Sequence, residues 1–465
     1  MQENNMQKQI YDTVIIGAGA AGLMAAVTAA RKGLRVLVLE HMEQAAKKIL
    51  ATGNGKCNYT NADQSLENYY CEEPDFIRTV LAQFSCQDTI RFFEELGIRP
   101  VQKNGTCMYP ESGQASSVKN VLLAEAQRLD IPILFSVGIR AVHKTDSKEQ
   151  LRIEQLRKEQ FRKEQLHKER FWKGLFRIET KEQVYTGRTC ILATGGKAMK
   201  KTGSDGSGYI YARQLGHSIA APLPALTALL TNETDIRLPA GIRVFCAAAL
   251  YVDHEPKACE CGELQITDYG ISGIVIFQSA RIVSRALEQK RHVTVCLDFQ
   301  PDLQMEQLTA YLGSRFLSIY HRHQKLADAL TGRLPDKLTG VVLKRAGLDA
   351  GEVCENLTEK QIRRLAGQMK NYEVTVTGTK GFDHAQVTTG GVPVQEIFAQ
   401  RMESKIVPGL YFAGEIVDVD GKCGGYNLQW AWSSGYVAAD SAAKRLHGQR
   451  QIQKAAKNGR KEHPL

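Results

Sequence analysis

The sequence lacks several features that would set it apart from ordinary globular enzymes. A membrane-spanning helix needs about 20 consecutive apolar residues, and no apolar stretch in the sequence is that long. The first nine residues are too polar for a signal peptide. Eleven cysteines are present, but none forms a CxxC pair, and only Cys259 and Cys261 lie close in sequence. We therefore expect a cytoplasmic protein with reduced thiols, no metal site and no membrane contact.

The sequence has fewer acidic than basic residues: it contains 50 Asp and Glu and 60 Lys and Arg, which gives a net charge of +10. The excess is confined to two segments. Residues 148–173 hold nine Lys or Arg and five Glu, and residues 444–465 hold seven Lys or Arg and one Glu. Basic segments of this kind are typical of a solvated periphery, so we expect no nucleic-acid partner.

The first basic segment is a five-residue repeat, which begins Lys-Glu-Gln-Leu-Arg at residue 148 and runs to residue 172. A step of five residues turns a helix by roughly 140°, so its apolar residues scatter around the axis and form no buried stripe. The flanks near residues 139–143 and 176–180 alternate like paired strands. We interpret the repeat as an enlarged hairpin tip without a role in chemistry.

A glycine motif near the N-terminus predicts a dinucleotide site. The apolar run that ends at Ile16 is followed by Gly17-Ala-Gly-Ala-Ala-Gly22, and a second apolar run ends at Glu40. Gly17 permits a tight turn, Gly19 lets a pyrophosphate approach the backbone, and Gly22 lets the next helix pack closely. The helix start binds phosphate, and the Glu40 carboxylate accepts from ribose hydroxyls.

A second glycine-rich stretch, residues 47–61, follows Glu40 closely. Gly53 and Gly55 expose backbone N–H groups there, and Lys56 and Asn58 add side-chain donors. We expect this loop to wrap a large ring system beside the ribose, the alternative being an ordinary surface turn.

Near the C-terminus, a short apolar run, Leu410-Tyr-Phe, leads to Glu415, and the glycine-rich segment Gly421–Asn427 opens a long helix predicted over residues 428–447. A carboxylate at Glu415 is placed to accept from ribityl hydroxyls of a flavin. The helix start offers N–H dipoles to the negative charge of a reduced flavin. Asn427 is either a donor to the flavin edge or a plain N-cap residue.

The pattern predicts an α/β protein with a split nucleotide-binding domain. Residues 1–198 and 383–465 form this Rossmann-like domain, residues 199–300 and 371–382 form an inserted β-rich domain, and residues 301–370 form a small helical domain. Within the last segment, Thr358-Glu-Lys-Gln361 is a capping box that predicts a helix through Met369.

Taken together, the motifs resemble the bacterial family of NAD(P)/FAD-dependent oxidoreductases of the BaiN type. The likeness covers nearly the whole chain outside the repeat and the tail. It is carried by the stretches Gly17–Gly22, Gly53–Asn61, Ala193–Gly196, Thr202–Gly206, Thr388–Val392 and Gly414–Trp430. Lys56 stands where Arg is common in the family, so the charge is kept and the forked donor is lost.

The resemblance implies a two-dinucleotide-type flavoprotein that binds FAD and uses NADH or NADPH as co-substrate. It also implies hydride transfer through the flavin to conjugated C=C bonds of a 3-oxo steroid, in bile acid metabolism. The motifs and the resemblance together predict cofactor contacts at Gly17, Gly19, Ala20, Ala21, Gly22, Glu40, Lys48, Gly53, Asn54, Gly55, Lys56, Cys57, Asn58, Ile139, Ala193, Thr194, Gly195, Gly414, Glu415, Gly425, Tyr426, Asn427 and Leu428.

Several points stay open at the level of sequence. The proton donor is not identified among Tyr426, His384 and Tyr209, and Cys57 with Cys423 is either a redox pair or two packed thiols. No second GxGxxG follows a strand, so we expect the nicotinamide to bind over the flavin without a domain of its own. An FAD oxidase of a small amine or amino ketone, and a flavin-containing nucleic-acid-binding protein, are the alternative functions.

Overall fold

The computed structural model describes residues 9–145 and 174–459. The repeat at residues 148–172 and the last residues of the basic tail lie outside this part of the chain. The described residues form two compact units, Met1–Pro222 with Val387–Leu465 and Leu223–Gln386. No helix in the described ranges combines the length and the apolarity that crossing a bilayer demands.

The first unit is built on a nine-stranded sheet whose centre is parallel. The run Val36–Leu39 is buried on both faces, as expected for a central strand of a parallel sheet covered by helices. The parallel strands, in spatial order, are Leu410–Phe412, Val184–Leu192, Ile10–Ile16, Val36–Leu39 and Ile133–Leu134.

Antiparallel strands extend one edge of this sheet and add a hairpin beside it: Glu403–Ser404 and Ile397–Phe398 at the edge, and Phe176–Thr180 with Ile139–Lys144 in the hairpin. In the hairpin, Lys144 lies opposite Phe176. The two strands that flank the repeat therefore pair as the sequence predicts.

The helices of the first unit share a hydrophobic core with its sheet. Of these, the first helix, Ala20–Arg31, and the C-terminal helix, Tyr426–Gly459, contact each other and hold the unit's two segments together. The C-terminal helix begins two residues earlier and ends twelve residues later than predicted. The remaining helices are Lys47–Ala51, Pro74–Gln83, Cys86–Glu95, Ala115–Arg128 and Ser207–Gln214. Short strands outside the main sheet are Thr60–Asn61, Tyr69–Tyr70, Pro100–Lys103, Cys107–Pro110, Val387–Gly391 and Asp420–Gly421, and Ala220–Ala225 pairs with Val387–Gly391.

The second unit is a closed six-stranded barrel with helices against it. In order around the barrel, the strands are Leu229–Thr231, Gly270–Ser272, Glu255–Thr267, Arg243–Val252, Val293–Asp298 and Tyr372–Thr379. The helices are Ile274–Phe277, Ala280–Glu288, Met305–Leu317, Leu326–Ala329, Asp336–Arg345 and Glu359–Lys370. The last begins at the predicted capping box, where Thr358 accepts from the Gln361 N–H.

The domain boundaries differ from those predicted. Residues 199–222 group with the first unit, because the helix Ser207–Gln214 packs on its hydrophobic core through Tyr209 and Tyr211. The helices of residues 305–370 share one hydrophobic core with the barrel, so they form a single unit with it. The helical period in the sequence is real, but periodicity does not reveal which core a helix joins.

Candidate active site

Four neighbouring parallel strands end at the same edge of the sheet, and each leads directly into a predicted cofactor residue. Ile10–Ile16 runs into Gly17, Val36–Leu39 into Glu40, Val184–Leu192 into Ala193, and Leu410–Phe412 reaches Gly414 after one residue. In open α/β sheets, ligands bind outside the carboxyl ends of the strands. Gly17, Glu40, Ala193 and Gly414 therefore lie at the edge where this fold type binds ligands.

The three glycines of the first turn have different surroundings. Gly17 has φ +104°, and a Cβ there would lie 2.4 Å from the Ala193 carbonyl oxygen. A Cβ on Gly22 would lie 1.9 Å from the Gly17 oxygen, whereas a Cβ on Gly19 would have nothing within 4 Å. The outer glycines are thus required for packing, and Gly19 leaves open space at the start of the first helix. A phosphate fits such a cradle.

Glu40 is buried and fixes the glycine turn. One carboxylate oxygen accepts from the Ala18 N–H at 2.7 Å, and the other accepts from the Met42 N–H at 2.8 Å. The oxygen that binds Met42 also has the His41 imidazole at 3.4 Å, whereas the oxygen that binds Ala18 retains a lone pair, so the carboxylate is able to accept from a ribose as well. The Val137 N–H donates to the Glu40 carbonyl at 2.9 Å, which brings the strand that starts at Ile139 to this edge.

Lys48 and Glu415, which are 367 residues apart in sequence, form an ion pair of 2.8 Å. The second Glu415 oxygen accepts from the Thr388 N–H at 2.9 Å. Both side chains are partly exposed. The sequence marks both residues as cofactor contacts, but it contains no signal that they contact each other.

The second glycine loop has a left-handed backbone. Gly53, Asn54 and Gly55 have φ values of 56°, 53° and 83°, and all three are at least partly exposed. Asn58 turns inward, and its side-chain oxygen accepts from the Met108 N–H at 3.1 Å. Cys57 is fully buried, and burial raises the pKa of its thiol to about 12, so the thiol stays protonated at neutral pH.

The residues that follow the other two strands are tightly packed. Gly414 has φ +77°; its N–H donates to the Ser434 hydroxyl at 2.8 Å, and its carbonyl accepts from the Trp430 indole at 3.1 Å. Thr194 lies against Gly208, where a Cβ would be 1.8 Å from the threonine hydroxyl. Gly195, which follows Thr194, is also left-handed, with φ +72°. Little side-chain volume fits here, so the backbone itself borders the site.

The start of the C-terminal helix is held by its own side chains. A Cβ on Gly425 would lie 2.8 Å from the Thr60 carbonyl, and the Tyr426 ring meets the Tyr69 ring edge-on at 5.4 Å. Asn427 binds Gly421 twice: it accepts from the Gly421 N–H at 2.9 Å and donates to its carbonyl at 2.7 Å. The Asn427 amide thus stabilises the loop before the helix, a role similar to that of an N-cap residue. Because these bonds occupy the amide, it is less suited to donate to a flavin. Leu428 follows it in the first turn, whose N–H groups have no partner within the helix.

Of the proton-donor candidates, Tyr209 and Tyr426 belong to this unit, whereas His384 belongs to the other unit. Burial, together with the charges of Glu415 and Asp418, raises the pKa of the Tyr209 hydroxyl well above its usual range. Burial raises the pKa of Tyr426 to about 12. Both hydroxyls therefore stay protonated at neutral pH, as an unperturbed tyrosine does, and the raised pKa makes each a weaker acid.

A Ser-His-Glu array in the same unit has no local signature in the sequence, because its three residues lie far apart along the chain. The ring of His217 lies 2.7 Å from Glu396 through Nδ1 and 2.7 Å from the Ser404 hydroxyl through Nε2. The Ser404 oxygen also accepts from the N–H groups of Ile406 and Val407, and the residue is 2 % exposed. A hydroxyl with these partners and no access to solvent is no nucleophile, so the array is structural.

All cysteines in the described ranges are free, and Cys57 and Cys423 form no disulfide. Burial raises the pKa of the Cys423 thiol to about 12. Within the same ranges, no cluster of three or more His, Cys, Asp or Glu side chains is arranged to hold a metal ion.

The parallel sheet, the glycine turn and the strand-end acid define a Rossmann-like nucleotide-binding protein, which confirms the predicted fold class. The chain belongs to the family described as HI0933-like protein Rossmann domain, whose model matches residues 11–167 and 159–441. The predicted resemblance is thereby confirmed.

Two curated relatives span almost the whole chain. The 3-dehydro-bile acid delta(4,6)-reductase of Clostridium scindens is 37% identical over 93% of this chain and 98% of its own length. The ribosomal RNA dihydrouridine synthase of Haemophilus influenzae is 30% identical over 94% of this chain and 99% of its own length. Among solved structures, the 3-ketosteroid delta1-dehydrogenase of Sterolibacterium denitrificans is 11% identical, with a TM-score of 0.47 over 94% of this chain and 100% of that chain.

Proposed function

We propose that the protein is an FAD-dependent reductase that adds hydrogen across a carbon–carbon double bond conjugated to a carbonyl, with NADH or NADPH as the hydride source. The observation that carries this proposal is the convergence of four parallel strand ends and two helix starts from both ends of the chain. When bound, FAD supplies a ring that accepts a hydride and passes it to an electron-poor carbon.

The residues present fit this cofactor. The open space at Gly19 admits a pyrophosphate to the start of the first helix, and Glu40 has acceptor capacity left for the ribose. The Lys48–Glu415 pair, the Gly53–Asn58 loop and the Gly425–Leu428 turn would hold the rest of the molecule. Tyr209 and Tyr426, the hydroxyl candidates in this unit, would be the source of the proton that the reduced carbon needs.

The names of the two relatives support the reaction class. A 3-dehydro bile acid with double bonds at positions 4 and 6, and the base of uridine, both carry a C=C bond conjugated to a C=O group. In both cases the product gains two hydrogens, one as hydride and one as a proton. We propose 3-oxo-4,6-dienoic bile acid intermediates as the first substrate class, because this relative has the higher identity.

Uridine in ribosomal RNA is the second substrate class. The second relative supports it through its name and its match over 94% of this chain. This candidate departs from the expectation of no nucleic-acid partner, which rested on the confinement of the positive charge to two peripheral segments.

The test is anaerobic bleaching of the flavin by NADH or NADPH, followed by addition of one acceptor at a time. The acceptors are a 3-oxo-4,6-dienoic bile acid, a ribosomal RNA transcript and air. We expect one of the first two to restore the yellow colour stoichiometrically. Rapid peroxide formation with air alone would favour the amine-oxidase alternative, and a protein that cannot be loaded with FAD would contradict the whole proposal.

A further inference from the structure

A loop of the second unit exposes three large apolar side chains within four residues. We name residues 317–325 the tip loop; they read Leu-Ser-Ile-Tyr-His-Arg-His-Gln-Lys. Leu317, Ile319 and Tyr320 are 63%, 75% and 77% exposed. The other strongly exposed apolar residues of this unit, Leu238, Phe245 and Ile274, lie singly in the sequence, whereas these three lie within one stretch of four residues. A protein surface rarely presents such a group without a partner.

The tip loop is held firmly at its base. The N–H groups of Glu355 and Cys354 donate to the carbonyls of Arg322 and Gln324 at 3.0 and 3.1 Å. On its other side, the helix Met305–Leu317 is anchored by Leu308, Leu312 and Phe316, all fully buried. Both ends of the loop are therefore fixed by the fold, and residues 317–320 are exposed within an ordered segment.

The charge of the tip loop is entirely positive. No Asp or Glu occurs between Glu306 and Asp328. Arg322 and Lys325 are exposed, and neither has a carboxylate partner among the residues that the structure describes. Of the nearby acids, Glu355 lies 3.2 Å from His323, and Glu352 accepts from the Leu326 N–H through its backbone carbonyl.

We propose that the tip loop binds single-stranded RNA, with a base stacked on Tyr320 and phosphates neutralised by Arg322 and Lys325. An exposed ring among basic residues is the pattern by which proteins hold unpaired nucleotides. A membrane-surface element would present a continuous apolar helix face instead, and the tip is a short loop. This inference rests on the proposed function, of which it favours the RNA substrate class.

The test measures binding of a fluorescent, uridine-rich single-stranded RNA of about 20 nucleotides to the full-length holoenzyme. We expect Tyr320→Ala to weaken binding about tenfold and Tyr320→Phe to leave it unchanged, because Phe keeps the stacking face. Arg322→Ala should weaken binding and lower the slope of log affinity against log salt by about one unit. Lys360→Ala, an exposed charge on another helix of the same unit, is the matched control and should have no effect.

Equal binding by wild type and Tyr320→Ala would overturn the inference, as would binding of the tip loop to anionic lipid vesicles with no effect on RNA. The proposed function fails separately. If RNA binds through the tip loop but no dihydrouridine forms, the RNA branch of the function is wrong and the inference stands. If dihydrouridine forms equally well in Tyr320→Ala, the inference is wrong and the function stands.

Discussion

Gly19 and Gly22 lie three residues apart and serve different purposes. Gly19 has ordinary backbone angles, φ −79° and ψ −168°, and open space around its Cα. Gly22 is in contact with the backbone of Gly17, so it has no room for a side chain. Within one motif, the missing side chain of Gly19 leaves room for a ligand, and the missing side chain of Gly22 allows close backbone packing.

This contrast predicts opposite outcomes for two alanine substitutions. Gly19→Ala should leave the melting temperature of the FAD-free protein within about 2 °C of wild type, since an isolated surface substitution changes stability by roughly ±0.5 kcal/mol. The same variant should lose FAD, because the new methyl group fills the phosphate approach. Gly22→Ala should destabilise the fold by about 3 kcal/mol, because a backbone oxygen must move.

Thermal unfolding with and without added FAD, together with the flavin absorbance of the purified protein, separates the two effects. Full FAD occupancy in Gly19→Ala at wild-type affinity would show that no phosphate lies beside Gly19.

His217 makes stability depend on pH. Burial lowers the pKa of this histidine below its usual value, and the bond to Glu396 only partly opposes the effect. The unfolded chain then binds a proton more readily than the folded chain does. Stability from this group is complete above the unfolded pKa of about 6.5 and falls as the pH drops through the window between that value and the lower folded pKa.

Urea unfolding of wild type between about pH 7.5 and 5.5 should therefore show a falling free energy of unfolding. His217→Gln removes the titrating group, so its free energy should be lower at pH 7.5 but should fall less steeply with acid. Parallel profiles for the two proteins would rule out His217 as the source of the pH dependence.

At the level of elements, the start of the C-terminal helix depends on its packing against the first helix. Gly435 lies at the crossing, and a Cβ there would be 2.5 Å from the Ala21 carbonyl oxygen. This contact influences how closely Tyr426–Leu428, at the start of the same helix, approach the residues that follow Gly17. Helix packing thus links a buried glycine to the geometry of the cofactor site.

Gly435→Ala should separate the two helices and cost about 1–3 kcal/mol of stability. Gly448→Ala is the matched control, because the same helix has nothing within 4 Å of that position. This second variant should gain up to about 1 kcal/mol from helix propensity. Denaturant midpoints and FAD dissociation constants of both variants test the expectation, which an unchanged midpoint in Gly435→Ala would contradict.

The elements that could be predicted from the sequence are those whose cause is local. The Gly17 turn, the Glu40 strand end and the Thr358 capping box each follow from a few adjacent residues. The Lys48–Glu415 pair could not be predicted, because only the folded chain brings together residues so far apart. Asn427 was hard to assign because its hydrogen bonds to Gly421 depend on the shape of the preceding loop.

At the level of the whole molecule, the chain accommodates large insertions because they enter where two strands are already fixed. The Thr145 N–H donates to the Leu175 carbonyl at 2.9 Å, and the strands Ile139–Lys144 and Phe176–Thr180 continue the ladder. The register of this hairpin is thus set by residues outside the repeat. Of the predicted site residues, Ile139 lies on this hairpin, at the end opposite to the repeat, and the others lie on other elements. The repeat is therefore predicted to be dispensable for chemistry.

Deleting residues 148–172 tests this expectation. Joining residue 147 to residue 173 leaves a loop of four residues between Thr145 and Leu175, a length at which hairpins close readily. The loop is shortened by nearly three halvings of its length at about 0.6 kcal/mol each, so the variant should be as stable as wild type or up to about 2 kcal/mol more stable. FAD occupancy and NADH-dependent flavin bleaching should be unchanged. Because the deletion also removes a net charge of +3, RNA affinity measured on it separates the basic repeat from the tip loop. Loss of all RNA binding in the deletion variant would assign that binding to the repeat, whereas binding that still responds to Tyr320→Ala would assign it to the barrel unit.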